Sequence, residues 1–139
     1  MAHNPLARPF SAALHAAQKT VRVAFSATRS RVIRTQIFIG LNDVDEKEQR
    51  FDTDRYISIL KHVCTQYGTQ FTYDVMHGGY IHKDGEFTEE NTIVLTFIDV
   101  PRKTIDEIAQ DLCVFFRQES VLIVSSHTQS RTVHRIADE

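Results

Sequence analysis

An α+β fold, one antiparallel sheet with two helices on a single face, is what this sequence predicts. Three observations carry the prediction. Two segments repeat apolar residues at helical spacing and four others read as strands. These six follow one another as strand, helix, strand, strand, helix, strand. The second helical segment runs almost without a loop into an apolar strand, so helix packs directly on sheet. A chain of 139 residues makes one domain with a real core.

Residues 34–41, RTQIFIGL, open the body as a strand. Residues 42–51, NDVDEKEQRF, form a charged loop. Asp43, Asp45 and Glu46 lack the alternating ligands and central glycine of a calcium loop, which makes it a solvated loop. Asp52 or Thr53 caps a helix through Tyr67. Tyr56, Ile59, Leu60, Val63, Cys64 and Tyr67 line one face of it, and Gly68 stops it. Phe71, Tyr73 and Val75 alternate with polar neighbours, as in a half-buried strand. Gly78-Gly79 marks a bend or bulge, after which Tyr80-Ile81-His82 resumes the strand. Lys83-Asp84-Gly85-Glu86 holds the Asp-Gly of a tight hairpin turn.

Residues 91–100, NTIVLTFIDV, are the clearest strand, ended by Pro101. Thr104 and Glu107 have capping-box spacing, which starts a helix near Thr104. Ile105, Ile108, Leu112, Phe115 and Phe116 form its buried stripe. Residues 121–124 are apolar and rich in β-branched side chains, which suits a strand covered on both faces. Thr132, Val133 and Ile136 fit a last edge strand or a tail on a neighbouring subunit. The whole order is the split βαβ arrangement of ferredoxin-like folds. Its second sheet face needs a partner copy or the terminal segments to cover it.

The net charge of −2 hides an asymmetry. Residues 1–34 carry six basic groups and no acid, and the remainder carries 10 basic and 18 acidic groups. This divides the chain into a basic N-terminal helical extension, 1–34, and a ferredoxin-like α+β domain, 35–139. In residues 10–27, Phe10, Leu14, Ala17, Val21 and Phe25 share one helical face. Docking on the body or on a neighbouring subunit is the plain expectation. Membrane-surface contact, nucleic-acid contact and an organellar presequence are the alternatives. No apolar run approaches a bilayer span. Cys64 and Cys113 read as small buried hydrophobes in a reducing, cytoplasmic compartment, with an interhelical disulfide as the rival.

The sequence has no nucleophile elbow, phosphate-cradling glycine loop, dinucleotide fingerprint or zinc-spaced Cys/His pattern. His77 and His82, near Asp74 and Asp84, are five apart and point to opposite strand faces unless the glycine pair re-phases them. Strand and turn polar residues are the better reading than a metal or acid/base site. His127, Arg131, His134 and Arg135 form a cationic cluster. Arg131 and Arg135, four apart, share a face in either helix or strand, and two guanidinium forks suit one phosphorylated anion. A solvated tail is the plain alternative. A nucleotide base also needs a flat surface. Among Phe71, Tyr73, Tyr80, Phe87 and Phe97, most belong to the core, and Tyr80 and Phe87 beside the hairpin are the accessible ones.

Three stretches resemble small phage and prophage proteins over roughly residues 35–125. They are Ile39-Gly40-Leu41-Asn42-Asp43 with Asp45, Gly79-Tyr80 with Lys83-Asp84-Gly85, and Gln118-Glu119-Ser120-Val121. Arg117 departs from the asparagine expected there. The N-terminal extension is also longer than in the shorter members and fits an oligomerisation anchor. The resemblance is to the Thoeris anti-defence sponges, multimers that sequester a cyclic ADP-ribose isomer, some of which also hold cyclic oligonucleotides. It implies a homo-oligomeric protein of the infected bacterial cytoplasm that binds its ligand without cleaving it. It implies no cofactor and no metal. Arg131 and Arg135 would grip phosphates, aided by His127 and His134, while Tyr80 or Phe87 stacks on adenine. The acidic body argues against general affinity for nucleic acid. Three alternatives remain open: a small ferredoxin-like enzyme using His77, His82 or His127, a nucleic-acid module using residues 1–34, and a protein-binding inhibitor of a host defence enzyme.

Overall fold

The computed structural model describes residues 29–81 and 83–137, apart from the side chains of Arg29 and Tyr80. The N-terminal helix expected at 10–27 and His82 lie outside the described residues. The elements are β1 (Arg29–Gly40), α1 (Thr53–Gln66), β2 (Thr72–Ile81), β3 (Phe87–Ile98), α2 (Arg102–Phe115) and β4 (Leu122–Arg131). They form a four-stranded sheet in the order β2-β3-β1-β4. β3 lies antiparallel to both β1 and β2. This is the ferredoxin-like split βαβ arrangement expected from the element order. No described helix is long and apolar enough to cross a membrane.

The chain divides into two compact units, the body Val32–Thr128 and a unit made of both termini. In the body, alternation along the paired strands sends Ile37, Ile39, Ile93, Leu95 and Phe97 to the helix side. There they meet Tyr56, Leu60, Val63 and Cys64 of α1 and Ile105, Ile108, Ala109 and Leu112 of α2. The edge of Phe116 packs on Tyr56 with ring centroids 5.0 Å apart, a favoured aromatic geometry. In the terminal unit, Ser30 and Ser130 hydroxyls lie 3.0 Å apart, and Ser130 also donates to the Ser30 carbonyl.

Several local expectations are corrected. The first strand begins at Arg29 rather than Arg34. The capping box at Thr104 does not form: α2 starts at Arg102, with Pro101 in the N-cap position and no side-chain cap. Proline's fixed φ and missing N–H suit a helix start. Phe115 is exposed, and Ala109 completes the buried stripe instead. The apolar run at 121–124 is not covered on both faces. It enters β4, an edge strand, where Leu122 is 60% exposed. Residues 132–137 form no further strand. Gly78-Gly79 makes no bulge, because β2 pairs without a break from Thr72↔Thr96 to Ile81↔Phe87. Cys64 is buried, Cys113 is half-buried, and both are free thiols.

Candidate functional site

The β2–β3 hairpin continues past the helices, and the unbroken register fixes which side chains share a face there. His77 pairs with Asn91 and Gly79 with Glu89, so these lie on the helix side of the sheet, together with Phe87. Beyond the end of the helix layer no described helix covers that face. The phenyl ring of Phe87 fills the place a side chain would take at Gly79: a Cβ there would sit 2.5 Å from Cζ. The glycine therefore serves a close approach of ring to backbone rather than a bend.

The loop after β1 closes the other side. A single bridge joins Asn42 to Gln49. Inside it, the Asp43 N–H donates to the Glu48 carbonyl and the Lys47 N–H to the Asp43 carbonyl. Lys47 takes a left-handed φ of 59° to make the turn. Asp43 is 2% exposed, so the loop is not simply solvated. Its Oδ1 accepts the N–H groups of Asp45 at 2.8 Å and Glu46 at 3.0 Å. Those backbone bonds, first that from Glu46, hold its carboxyl below the usual carboxylate range against the opposing effect of burial, and Arg117 and Arg50 add to the lowering.

Between hairpin and loop lies a cleft of about 650 Å³, lined by Asn42, Gln49, His77, Gly78, Gly79, Phe87, Glu89, Glu90 and Asn91. All belong to the body. Side-chain bonds run along it. His77 Nδ1 meets Asn91 Oδ1 at 2.6 Å, Asn91 Nδ2 donates to Gln49 Oε1 at 2.9 Å, and Gln49 Nε2 donates to Thr53 Oγ1 at 3.0 Å. Glu90 is held by the Asn42 N–H at 3.1 Å and lies against the bare backbone of Gly40, where a Cβ would sit 2.5 Å from its carboxylate. The described lining thus offers an aromatic surface, two carboxylates, an imidazole and three amides, and neither Lys nor Arg.

Of the residues singled out in sequence, Phe87 and His77 line this cleft, and Phe87 is 61% exposed. Tyr80 pairs with Thr88 in the hairpin, and its side chain lies outside the described residues. His127 is an exposed residue of β4, Arg131 is that strand's last residue, and His134 and Arg135 follow it, exposed and outside regular structure. None of these four belongs to the cleft lining. Sequence reasoning missed Asn42, Gln49, Glu90 and Asn91. The Asn42 motif and the hairpin motif had been noted separately, and nothing in the spacing said that they face each other.

No protein-family model and no curated protein sequence matches the chain. Solved structures with the same fold do. A phage SAM lyase in complex with S-methyl-5'-thioadenosine is 16% identical over 73% of this chain and 90% of its own, with a TM-score of 0.54. The same type of protein in its apo state gives 18% identity over 75% and 92%, with a TM-score of 0.51. GlnK from B. subtilis in complex with ATP is 14% identical over 70% and 82%, with a TM-score of 0.47. At these identities the likeness is one of fold.

Proposed function

We propose that the protein captures an adenosine-derived small molecule in the β2–β3 cleft and holds it without cleaving it, as a phage anti-defence protein would. The observation that carries this is the exposed ring of Phe87 packed against Gly79 beside a row of hydrogen-bonding side chains. An exposed ring gives a purine its stacking surface, and stacking is worth about 1–3 kcal/mol per base. Carboxylates such as Glu89 and Glu90 suit ribose hydroxyls, which donate. The volume lies within the range typical of small-molecule sites. Support for an adenosine-type ligand comes from the phage SAM lyase fold, whose complex holds S-methyl-5'-thioadenosine. Support for capture comes from the motifs at Asn42, Gly79-Tyr80 and Gln118-Glu119-Ser120, which resemble the Thoeris sponges.

In its most specific form the ligand is a cyclic ADP-ribose isomer. That form needs cations for the phosphates, and Arg131 and Arg135 are the pair assigned to them, with His127 and His134 in support. The protein would then work as a homo-oligomer in the cytoplasm of an infected bacterium. A second reading, conversion of the ligand, is favoured by His77 sharing one face of the cleft with Glu89, a pairing able to move a proton.

The test is incubation with S-methyl-5'-thioadenosine, SAM or a cyclic ADP-ribose isomer, followed by removal of free ligand, heat denaturation and mass spectrometry. Intact ligand released by the wild type and absent from a Phe87→Ala variant supports capture in the cleft. A cleaved product moves the assignment to an enzyme. Binding lost only in the Arg131→Ala, Arg135→Ala double variant moves the site away from the cleft.

A further inference from the structure

The hydrogen-bond chain beside the cleft has a fixed direction, and its origin lies in the backbone. Gln49 Nε2 is 2.8 Å from the Phe51 carbonyl oxygen. A carbonyl only accepts, so the Gln49 group facing it is the NH2. Gln49 Oε1 then faces Asn91 and takes a proton from Asn91 Nδ2. That turns Asn91 Oδ1 toward His77 Nδ1 at 2.6 Å. An amide oxygen also only accepts, so His77 carries its proton on Nδ1. In the neutral ring Nε2 is left as a lone-pair acceptor.

We infer that His77 Nε2 is a hydrogen-bond acceptor facing the cleft, and that it selects a purine nucleoside bearing a 6-amino donor over the 6-oxo counterpart. This deepens the adenosine reading and rests on it for the ligand, though not for the tautomer. The geometry fits a base on Phe87. Alternation places Gly79, under the ring, two residues from His77 on one face of β2, about 7 Å along the strand. A purine stacked on the ring therefore reaches the imidazole with its edge. The 6-amino group donates to Nε2. A 6-oxo group would set two acceptors against each other, leaving both unpaired away from water. The carboxylate of Glu89, on the same face, accepts as well.

A pH dependence follows. Protonation places a second N–H on the ring, turning the acceptor at Nε2 into a donor, while the bond to Asn91 survives. On His77's face of the described hairpin the charged neighbour is Glu89 of β3, while Glu90, paired with Gly78, alternates to the other face. The loop side presents uncharged Asn42 and Gln49, and Asp74 of β2 lies on the opposite sheet face. Affinity for a nucleoside that itself stays uncharged therefore falls wherever the ring is protonated.

The experiment has two arms. Long-range nitrogen–proton NMR of the free protein reports the tautomer, with the Nδ1–H form expected for His77, and a dominant Nε2–H form overturns the inference. Calorimetry then compares S-methyl-5'-thioadenosine with its 6-oxo analogue from pH 5 to 8. The amino compound is expected to bind about tenfold or more tightly at the upper end, and that preference should vanish in His77→Ala. Equal affinity for the two nucleosides, or no pH dependence, overturns the inference. If neither compound binds while the tautomer is as assigned, the adenosine reading fails along with the ligand named here, and the direction of the chain stands.

Discussion

Arg117 Nε lies 2.8 Å from Asp43 Oδ2, joining the turn after α2 to the loop that walls the cleft. The guanidinium also reaches Asp45 Oδ2 at 2.8 Å, and Arg50 stands 3.8 Å from Asp43. Around this contact the Val44 N–H donates to the Arg117 carbonyl, and Gln118 Nε2 donates to the Asn42 carbonyl at 2.6 Å. Asp43 Oδ2 is buried and accepts no well-aligned hydrogen bond among the described residues, so it depends on these cations. Arg117 itself has a left-handed φ of 52°. Asparagine, the residue that the resemblance led one to expect there, adopts that conformation more readily. The contact with Asp43 and Asp45 accounts for an arginine in its place.

Removing that cation should loosen the loop and raise its sensitivity to acid. Asp43 has a native pKa below its ordinary value. Its stabilising effect is therefore full above the ordinary carboxylate pKa and is lost as pH falls through the lower native value. In Arg117→Ala one source of that lowering disappears, so the loss begins at a higher pH. Hydrogen exchange at the Asp45 and Glu46 amides, both bonded to Asp43 Oδ1, should quicken in the variant, first in mild acid. Ligand affinity should fall several-fold, because Asn42 and Gln49 ride on the same loop. Unchanged exchange would remove Arg117 as the clasp.

Phe87 and Gly79 can be separated by substitution. Gly79→Ala puts a methyl group where the ring now rests. Since Phe87 is largely exposed, the ring can swing away, and stability should change by only about 0.5 kcal/mol. Binding should suffer more, because the stacking surface is displaced. Phe87→Leu should leave the melting temperature nearly unchanged and weaken an adenosine ligand by about 1–3 kcal/mol. Calorimetry beside thermal melts checks both, and a variant that melts much earlier while still binding would make Phe87 a structural residue.

The fold was legible because the core repeats in sequence what it does in space. Ile105, Ile108 and Leu112 recur at helical spacing, and Ile93, Leu95 and Phe97 fall on every second position of β3. The errors fell where neighbours rather than local pattern decide. Whether residues 121–124 are central or at an edge depends on strand order, which hydrophobicity does not encode. Gly78-Gly79 reads as a breaker until the ring of Phe87, eight positions on, is seen to need the space. The cleft was legible only in Phe87 and His77. Its remaining groups come from the loop after β1 and from β3, and meet through the register of three strands.

Between the helices, Tyr67 donates its hydroxyl to Asp111 Oδ2 at 2.7 Å. That bond, with burial and the charges of Asp111 and Glu107 adding to it, pushes the phenol up to about 12. A group whose native pKa is raised stabilises fully below its unfolded pKa and stops doing so as pH climbs through the native value. Stability should therefore drop between the ordinary tyrosine pKa of about 10 and about 12. Tyr67→Phe should lower stability modestly at neutral pH and abolish this alkaline step in urea titrations. An alkaline step that persists in the variant would assign it to another group.

Cys64 reports on the core directly. Burial pushes its thiol up to about 11, so at neutral pH it is a protonated hydrophobe. A thiol reagent should reach it only through an opening of the structure, whereas half-buried Cys113 should react sooner. Leu60, fully buried one turn earlier on α1, offers a lever. Leu60→Ala should cost about 2–5 kcal/mol and speed the labelling of Cys64 in proportion to the lost stability. Fast labelling of Cys64 in the wild type would mean that the helix layer opens more easily than its packing implies.

The sheet face turned away from the helices gives the last prediction. Met76 of β2, Ile98 of β3 and Leu122 of β4 fall on it by alternation, and each is more than half exposed. Phe38 and Val94 lie between them on the central strands. Apolar residues spread over several strands are the kind of surface that soluble proteins cover. A second copy is the occupant that a homo-oligomeric sponge would supply, and a stable interface removes about 1,200–2,000 Å² from water. Light scattering should give a mass above that of one chain. Ile98→Glu combined with Leu122→Glu should reduce it to a single chain with helix content intact, because neither side chain touches the buried core. A wild type that runs as one chain would rule out a second copy as the cover of this face, and the cleft would then have to hold its ligand within one copy.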